Sequence, residues 1–347
     1  MQFSLIFETT WTFRILQKFL ELGLNGNIMY FTKNFLSNRS IRVRVQDQLS
    51  NETSLENGVP QGSVLSVYCF LLAINNISKC IPAPLTYRLF TDDLNVTCRT
   101  RHPQLAQQLL QACINNLLFW SDRSGFQFSR LKTHGVDFHR TRKTITTIRL
   151  MLDNNIIRFD LQALFLGLTF ENHLHWTNHL KTLRTKCYTS LNVLKMINNK
   201  NYSPPTRIML SIYRTTVHTK IDYGSIIYRS TSQTRLQILD PVHHTGIRLC
   251  LGAFTTSPTA SILTLAGEPP LTIRRQILNL TYCSTLLKNP IHPNIELDGL
   301  PTENVFSRYR ADLATFNLER DSLIQLPRQK LRSTIRQVAF DVWNQAW

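Results

Sequence analysis

Gly58-Val59-Pro60-Gln61-Gly62-Ser63-Val64-Leu65-Ser66, followed further along by Phe90-Thr91-Asp92-Asp93, decides the fold of this 347-residue chain. Gly58 and Gly62 bracket a proline whose ring fixes φ, and an apolar run opens at Val64. That order reads as a rigid small-residue loop feeding a helix. It lets the backbone and the Gln61 side chain approach a flat ligand closely. Tyr87 to Phe90 and Leu94 to Cys98 read as the arms of a hairpin with Asp92-Asp93 at its tip. Adjacent carboxylates between apolar strands are costly unless they are paired or hold a metal. Such oxygen ligands suit magnesium, which also binds substrate phosphates. Two metals ~3.5–4 Å apart stabilise the attacking and leaving oxygens of phosphoryl transfer. Singly, each stretch has a plain explanation, a solvated turn or a tight turn before a core helix. In succession the plain explanations are poor.

Working outward, Trp11 to Leu24 has helical spacing, with Phe13, Leu16, Phe19, Leu20 and Leu24 on or near one face. Tyr30 to Leu36 is a second short helix. Ile41 to Val45 alternates apolar and basic residues as a half-buried strand does. Its outer face carries Arg42 and Arg44, which meet either phosphates or water. Val64 to Ile77 reads as a helix packed on all sides. Pro103 to Asp122 is amphipathic, with a core stripe of Leu105, Leu109, Leu110, Cys113, Leu117 and Leu118. Short strands follow, around a basic turn at Arg130 and Lys132 and on to Phe170. From Trp176 the chain turns helical, with Lys181, Arg184, Lys186 and Lys195 beside an apolar stripe. After Pro269-Pro270 the pattern weakens into a basic tail with scattered prolines.

Composition narrows the function classes. Against 22 acidic residues stand 39 basic ones, a net charge of +17, which points first to nucleic acid and second to an anionic membrane. Hydrophobic residues make up 43%, enough for a real core. The 7 cysteines are scattered and contain no CxxC pair, which argues against a disulfide framework and a zinc site. The longest apolar run, Val64 to Ile74, is far short of the ~18 residues that span a bilayer. His173, His175 and His179 cluster, but no nearby Cys or Asp completes a metal site, and Trp120, Trp343 and Trp347 read as core or partner contacts.

At this point the chain resembles a known family. Gly58 to Ser66 is similar to the GVPQGSVLSP signature of non-LTR retrotransposon reverse transcriptases, and Phe90 to Asp93 resembles their F-A-D-D box. Gly125 to Thr133 resembles the segment carrying the family's active-site lysine, here Lys132. Phe165 to Phe170 is similar to the primer-grip hairpin. Leu174 to Ile197, Tyr223-Gly224 and Leu239 to His244 resemble the thumb and following segment of jockey-like elements.

The resemblance implies an α+β fold: an incomplete right-hand polymerase palm at 1–145 with its fingers missing, a primer-grip connection at 146–175, a helical thumb and post-thumb segment at 176–275, and a basic tail at 276–347 without a ribonuclease H motif. It implies RNA-directed DNA synthesis from deoxynucleotides, on an RNA template and DNA primer, with Mg2+ as cofactor. The scattered cysteines fit a reducing compartment inside the cell, cytoplasm or nucleus, and the short apolar runs predict no membrane partner. Asp92 and Asp93 would bind the metal. Lys132 would act near the leaving pyrophosphate, and Gln61 and Gly62 would lie under template and nucleotide. Leu166 and Gly167 would sit near the primer end. Phe7 takes the place of the residue that screens out ribonucleotides. Arg42, Arg44, Lys181, Arg184 and Lys186 come from segments that face the duplex.

One departure bears on chemistry. Met1 to Glu8 falls on the family's L-D-x-x-x-A-F-D string, and Gln2 takes the place of its first catalytic aspartate. The only acids before Asp47 are Glu8 and Glu21. Gln2 is therefore expected beside Asp92, weakening the metal site and impairing catalysis. The expected chain is an N-terminally truncated reverse transcriptase, with a nucleic-acid-binding remnant without chemistry, or a non-functional relic, as the alternatives.

Overall fold

In the computed structural model, residues 2–9, 12–55, 57–139, 148–198, 204–289 and 302–345 are described; within these the side chains of 2–9, 302–304 and 344–345 lie outside the description, and Trp347 lies outside the described residues. The chain forms two compact units, Met1–His173 and Leu174–Trp347.

The first unit opens with β1 (Gln2–Thr9), α1 (Thr12–Glu21) and α2 (Asn27–Leu36). A hairpin arm follows, built from β2 (Arg39–Ile41), β3 (Arg44–Val45), β4 (Gln48–Leu49) and β5 (Thr53–Leu55). Then come α3 (Val64–Ile74), a 3-10 turn (Asn75–Cys80), β6 (Thr86–Phe90), β7 (Asp93–Thr97) and α4 (Pro103–Ser124). The unit closes with β8 (Gln127–Phe128), β9 (His134–Val136), β10 (Met151–Leu152), β11 (Asn155–Ile156), β12 (Arg158–Asp160), β13 (Gln162–Phe165) and β14 (Leu168–Glu171).

Its main sheet runs β12-β9-β1-β7-β6, with β8 also on β1. β1 is antiparallel to β7, β8 and β9, whereas β12 lies parallel to β9. Helical periodicity supplies the cover. On α4 the residues Ala106, Leu110, Cys113, Ile114, Leu117 and Trp120 are buried, in one core with Leu94 and Val96 of β7 and Cys69, Ala73 and Ile74 of α3. Each fully buried large aliphatic side chain contributes ~1.5–3 kcal/mol relative to exposure. Gly125 ends α4 at φ 71 and donates its N–H to Ser121 O at 2.9 Å, the left-handed cap a glycine adopts freely. Trp120 stacks on Phe126 with ring centroids 5.1 Å apart, a core contact as its position implied.

Two expectations change here. Helix α3 is not packed all round, because Val64, Val67, Tyr68 and Leu71, at helical spacing, are exposed. A nearly continuous apolar run hides which face is covered. Nor is Ile41 to Val45 a half-buried strand. The arm pairs only with itself, β2 with β5 and β3 with β4, and Ile41, Val43 and Val45 are exposed along with Arg42 and Arg44.

The second unit contains α5 (Thr177–Ile197), α6 (Thr206–Tyr213), a π turn (Arg214–His218), α7 (Thr219–Asp222), α8 (Ser225–Tyr228) and α9 (Gln233–Leu236). A 3-10 turn (Gln237–Leu239), α10 (Asp240–Leu251), α11 (Thr259–Ala266), α12 (Leu271–Leu287), α13 (Thr302–Thr315), α14 (Arg320–Gln325) and α15 (Arg328–Gln345) complete it. Within the stretch read as a weakly patterned basic tail, residues 302–345 form α13, α14 and α15. Leu331, Ile335 and Ala339, at i, i+4 and i+8 of α15, are fully buried with Leu280 and Cys283 of α12 and Tyr309 of α13. Trp343 joins this face at 4% exposure. An ion pair locks the group, Arg229 to Asp312 at 2.6 and 2.7 Å, with Asn279 donating to the same carboxylate at 2.8 Å.

Candidate active site

The acidic pair sits where the hairpin reading put it. Phe90 faces Asp93 across β6 and β7, leaving Thr91 and Asp92 as a two-residue turn. Thr91 takes φ 53, the left-handed sign that such a turn needs at its first position and that a β-branched residue adopts at a cost. Asp92 is exposed and Asp93 half-buried. Burial, and secondarily the Asp92 charge, hold the Asp93 carboxyl above the usual aspartate range. A carboxylate in that condition gains from any cation placed on the pair.

β1 forms the floor beside this tip, and its register departs from expectation. Ile6 lies opposite Asp93, Leu5 opposite Leu94, Phe3 opposite Val96 and Gln2 opposite Thr97. Gln2 is thus four residues, about 13 Å of strand, from the position facing Asp93. The structure does not bring Gln2 to Asp92. The register instead sets Phe3 and Leu5 across from the fully buried Val96 and Leu94, and sliding the strand to meet the aspartates would break that apolar match.

On the other side of β1, β8 ends at Phe128 opposite Phe7, and β9 begins at His134 opposite Ser4. Residues 129–133 bulge out between them, at the level of Leu5 and Ile6. The excursion is closed by Thr133, whose N–H and hydroxyl both donate to Ser129 O, at 3.1 and 2.6 Å. Arg130 is ion-paired to Asp153. Leu131 and Lys132 at its crest are exposed. The structure therefore places the 129–133 excursion and Asp93 on opposite sides of the same strand, both at the level of Leu5 and Ile6.

Gly58 (φ 80) and Gly62 (φ 91) both use the backbone region open to glycine, and Gln61 is exposed at the entry to α3. Sequence reasoning missed what fixes this loop. Arg39 donates from Nη2 to Asn57 O at 3.0 Å and Gly58 O at 2.8 Å, and from Nε to Leu36 O at 3.0 Å. No local sequence pattern announces so distant a brace. Leu166 and Gly167 form the turn of the β13–β14 hairpin, with φ 46 and 77.

The basic residues divide. Arg42 is ion-paired to Glu52 at 2.6 Å, and Arg44 lies 3.6 Å from Asp47, so both have carboxylates within their own arm. On α5, Lys181, Arg184 and Lys195 share one exposed face with Tyr188, whose ring carries the Arg184 guanidinium 5.5 Å from its centroid. Lys186 stands apart, roughly 140° round the helix from Lys181 at 3.6 residues per turn. His173 Nδ1 donates to His139 O, 2.9 Å away, and His179 is buried against Trp176 and Tyr228. Among the described residues no group of three His, Cys, Asp or Glu is arranged to hold a metal ion, and no helix is long and apolar enough to cross a membrane.

Comparison with known proteins gives the class of the unit that holds this loop, acidic hairpin and flanking strand. Residues 4–170 match the family described as reverse transcriptase (RNA-dependent DNA polymerase). Three Drosophila melanogaster proteins align more widely. One, named as the probable RNA-directed DNA polymerase from transposon BS, is 26% identical over 222 residues, 60% of this chain and 24% of its own length. Its X-element counterpart is 22% identical over 223 residues, 63% of this chain and 24% of its length. The RNA-directed DNA polymerase from mobile element jockey is 20% identical over 294 residues, 83% of this chain and 31% of its length. Residues 4–170 thus carry a reverse transcriptase domain, homologous at low identity to the RNA-directed DNA polymerases of these mobile elements, and the chain spans about a quarter to a third of the relatives' length.

Proposed function

We propose that the first unit is the palm of an RNA-directed DNA polymerase, one that holds template and primer but extends them at background rate. Asp92 and Asp93 would hold Mg2+, whose role is to neutralise charge on the reacting phosphates. The donor set fits: two carboxylates on one turn, with the Asp93 proton affinity raised by burial and by its neighbour. Lys132 would meet the leaving pyrophosphate, Gln61 and Gly62 the template and nucleotide, and Leu166 and Gly167 the primer end. Residues 176–275 would serve as the thumb. There Lys181 and Arg184, with Arg42 and Arg44 of the arm, would contact the duplex, and Lys186 would contribute least.

The observation that carries the impairment is the residue opposite Asp93. It is Ile6, and the position in this strand where the resemblance puts an aspartate holds the neutral Gln2, which pairs with Thr97, so neither place supplies a carboxylate. Losing one metal-bridging carboxylate removes several kcal/mol of transition-state stabilisation, on the order of a thousandfold or more in rate. The test is primer extension on an RNA template with purified chain and Mg2+. We expect product at the level of the Asp92→Asn control, with hybrid binding unchanged between the two. Robust extension abolished by Asp92→Asn would overturn the impairment and leave the polymerase assignment standing. Absence of hybrid binding would overturn the reading that this unit holds template and primer.

A further inference from the structure

The last helix carries a basic edge that the polymerase reading does not use. Arg328, Arg332 and Arg336 stand at i, i+4 and i+8 of α15, and all three are exposed. Among the described residues none of them is paired with a carboxylate. The helix is held from its other side, where Leu331, Ile335 and Ala339 are fully buried, so the arginine edge is fixed on a packed element.

This arrangement opposes helix stability on two counts. Like charges four residues apart cost ~0.2–0.5 kcal/mol per pair. Arg328 and Lys330 also occupy the first turn, which has no acidic residue, and face the positive end of the helix dipole. A solvated helix face has no need of either. Four residues of helix rise 6 Å, so the edge is ~12 Å long, a span over which one duplex strand presents roughly three to four phosphates at ~3.4 Å each. Guanidinium groups bind phosphate oxygens in a planar two-bond geometry that suits such a row.

We propose that this edge of α15 is a second nucleic-acid contact, binding the phosphate backbone of one strand without reading its sequence. A nucleic acid is favoured over an anionic membrane because the arginine edge lacks the apolar insertion face that membrane-surface helices need: the apolar residues of α15 are spent in the core. The inference does not rest on the palm's chemistry, and its readout is independent of primer extension.

The experiment uses the full chain and measures binding of labelled single-stranded RNA, single-stranded DNA and RNA–DNA hybrid by fluorescence anisotropy across a salt series. Combined Arg328→Gln, Arg332→Gln and Arg336→Gln should weaken binding on the order of tenfold or more and lower the log–log salt slope by about two to three contacts. Arg332→Gln alone should lower it by about one, and the three arginines replaced by lysine should restore most of it. The single and lysine variants cover the case in which the triple variant folds poorly. The three probes show whether RNA, DNA or both are held. An unchanged slope in folded variants overturns the proposal. So does a variant-sensitive affinity for phosphatidylserine vesicles with nucleic-acid binding unaltered.

Discussion

Arg39 Nη2 donates to the carbonyl oxygen of Gly58 at 2.8 Å, tying the end of α2 to the loop that leads into α3. Its other bonds reach Leu36 O and Asn57 O. One half-buried guanidinium thus holds three carbonyls that no helix or sheet satisfies. Bonds to a charged donor contribute ~1.5–3 kcal/mol each before entropy is charged against them. Arg39→Ala should destabilise the chain by about 1–3 kcal/mol. Arg39→Lys should recover only part, because an ammonium cannot span the three directions. Urea unfolding measures both, and equal stability of all three proteins would refute the brace.

Thr91 concerns strain at the acidic turn. Holding a non-glycine residue at positive φ costs ~1–3 kcal/mol, while glycine adds only ~0.4–1 kcal/mol of unfolded-chain entropy. Thr91→Gly should therefore raise stability by up to about 2 kcal/mol, since φ is already 53. A drop in melting temperature would show that the threonine side chain makes a compensating contact.

Asp93 sets a pH dependence with a definite sign. Its folded carboxyl titrates above the ordinary 3.8, from burial first and Asp92 second. The folded state then binds more protons than the unfolded chain between those values, so stability falls as pH rises through that window. Asp93→Asn should remove this fall and stabilise the chain at neutral pH. Magnesium should act the same way on the unaltered protein and do nothing to the variant. Thermal melts from pH 3 to pH 7, with and without Mg2+, check each arm, and a variant as pH-sensitive as its parent at this unit's transition contradicts the assignment.

What the sequence made legible follows from which signals are local. The acidic turn was readable because two short apolar runs frame Asp92-Asp93, and α4 because Leu110, Cys113 and Leu117 recur at helical spacing. The register of β1 was not, since Gln2 to Phe7 offers no turn that pins it against β7, and only the buried Leu94 and Val96 do so. The exposed face of α3 was hidden by its own uniformity. The fold of residues 302–345 was overlooked although Leu331, Ile335 and Ala339 do repeat, because surrounding charge masked the period. Lys186 was grouped with Lys181 by proximity in sequence, which helical geometry does not respect.

Gly246 on α10 permits a close approach that no other residue would. A Cβ there would press into the Tyr213 ring, with Cδ2 at 2.8 Å, and Tyr213 is fully buried. Gly246→Ala should cost ~1–3 kcal/mol by overpacking, outweighing the helix propensity alanine gains. Adding Tyr213→Leu should relieve the clash, so the double variant should lose less than the sum of the singles. Additive losses in denaturant unfolding would show that the two sites do not touch energetically.

The last prediction lies one step further into the same core. Tyr213 Oη is 2.8 Å from His243 Nδ1, and His218 Nε2 is 3.3 Å from the same nitrogen. His218 sits in the π turn, 3.7 Å from Glu268, which also takes Arg214 Nε at 2.5 Å, while Arg274 holds Asp222 at 2.6 and 2.8 Å. Burial, and then neighbouring positive groups, push His243 down to about 3 from 6.5 and hold His218 well below its usual value. Desolvation is the largest effect for both rings. The unfolded chain therefore binds protons that the folded chain refuses. This contribution to stability is full above pH ~6.5 and is lost as pH falls from there towards about 3. We expect the second unit to unfold in mild acid. His243→Gln should lower stability at pH 7.5 by about 1–2 kcal/mol, through the disturbed bond to Tyr213, yet flatten the decline between pH 6.5 and pH 4. Circular-dichroism melts of both proteins across that range decide it, and parallel curves would mean that the histidine pair does not set the acid limit.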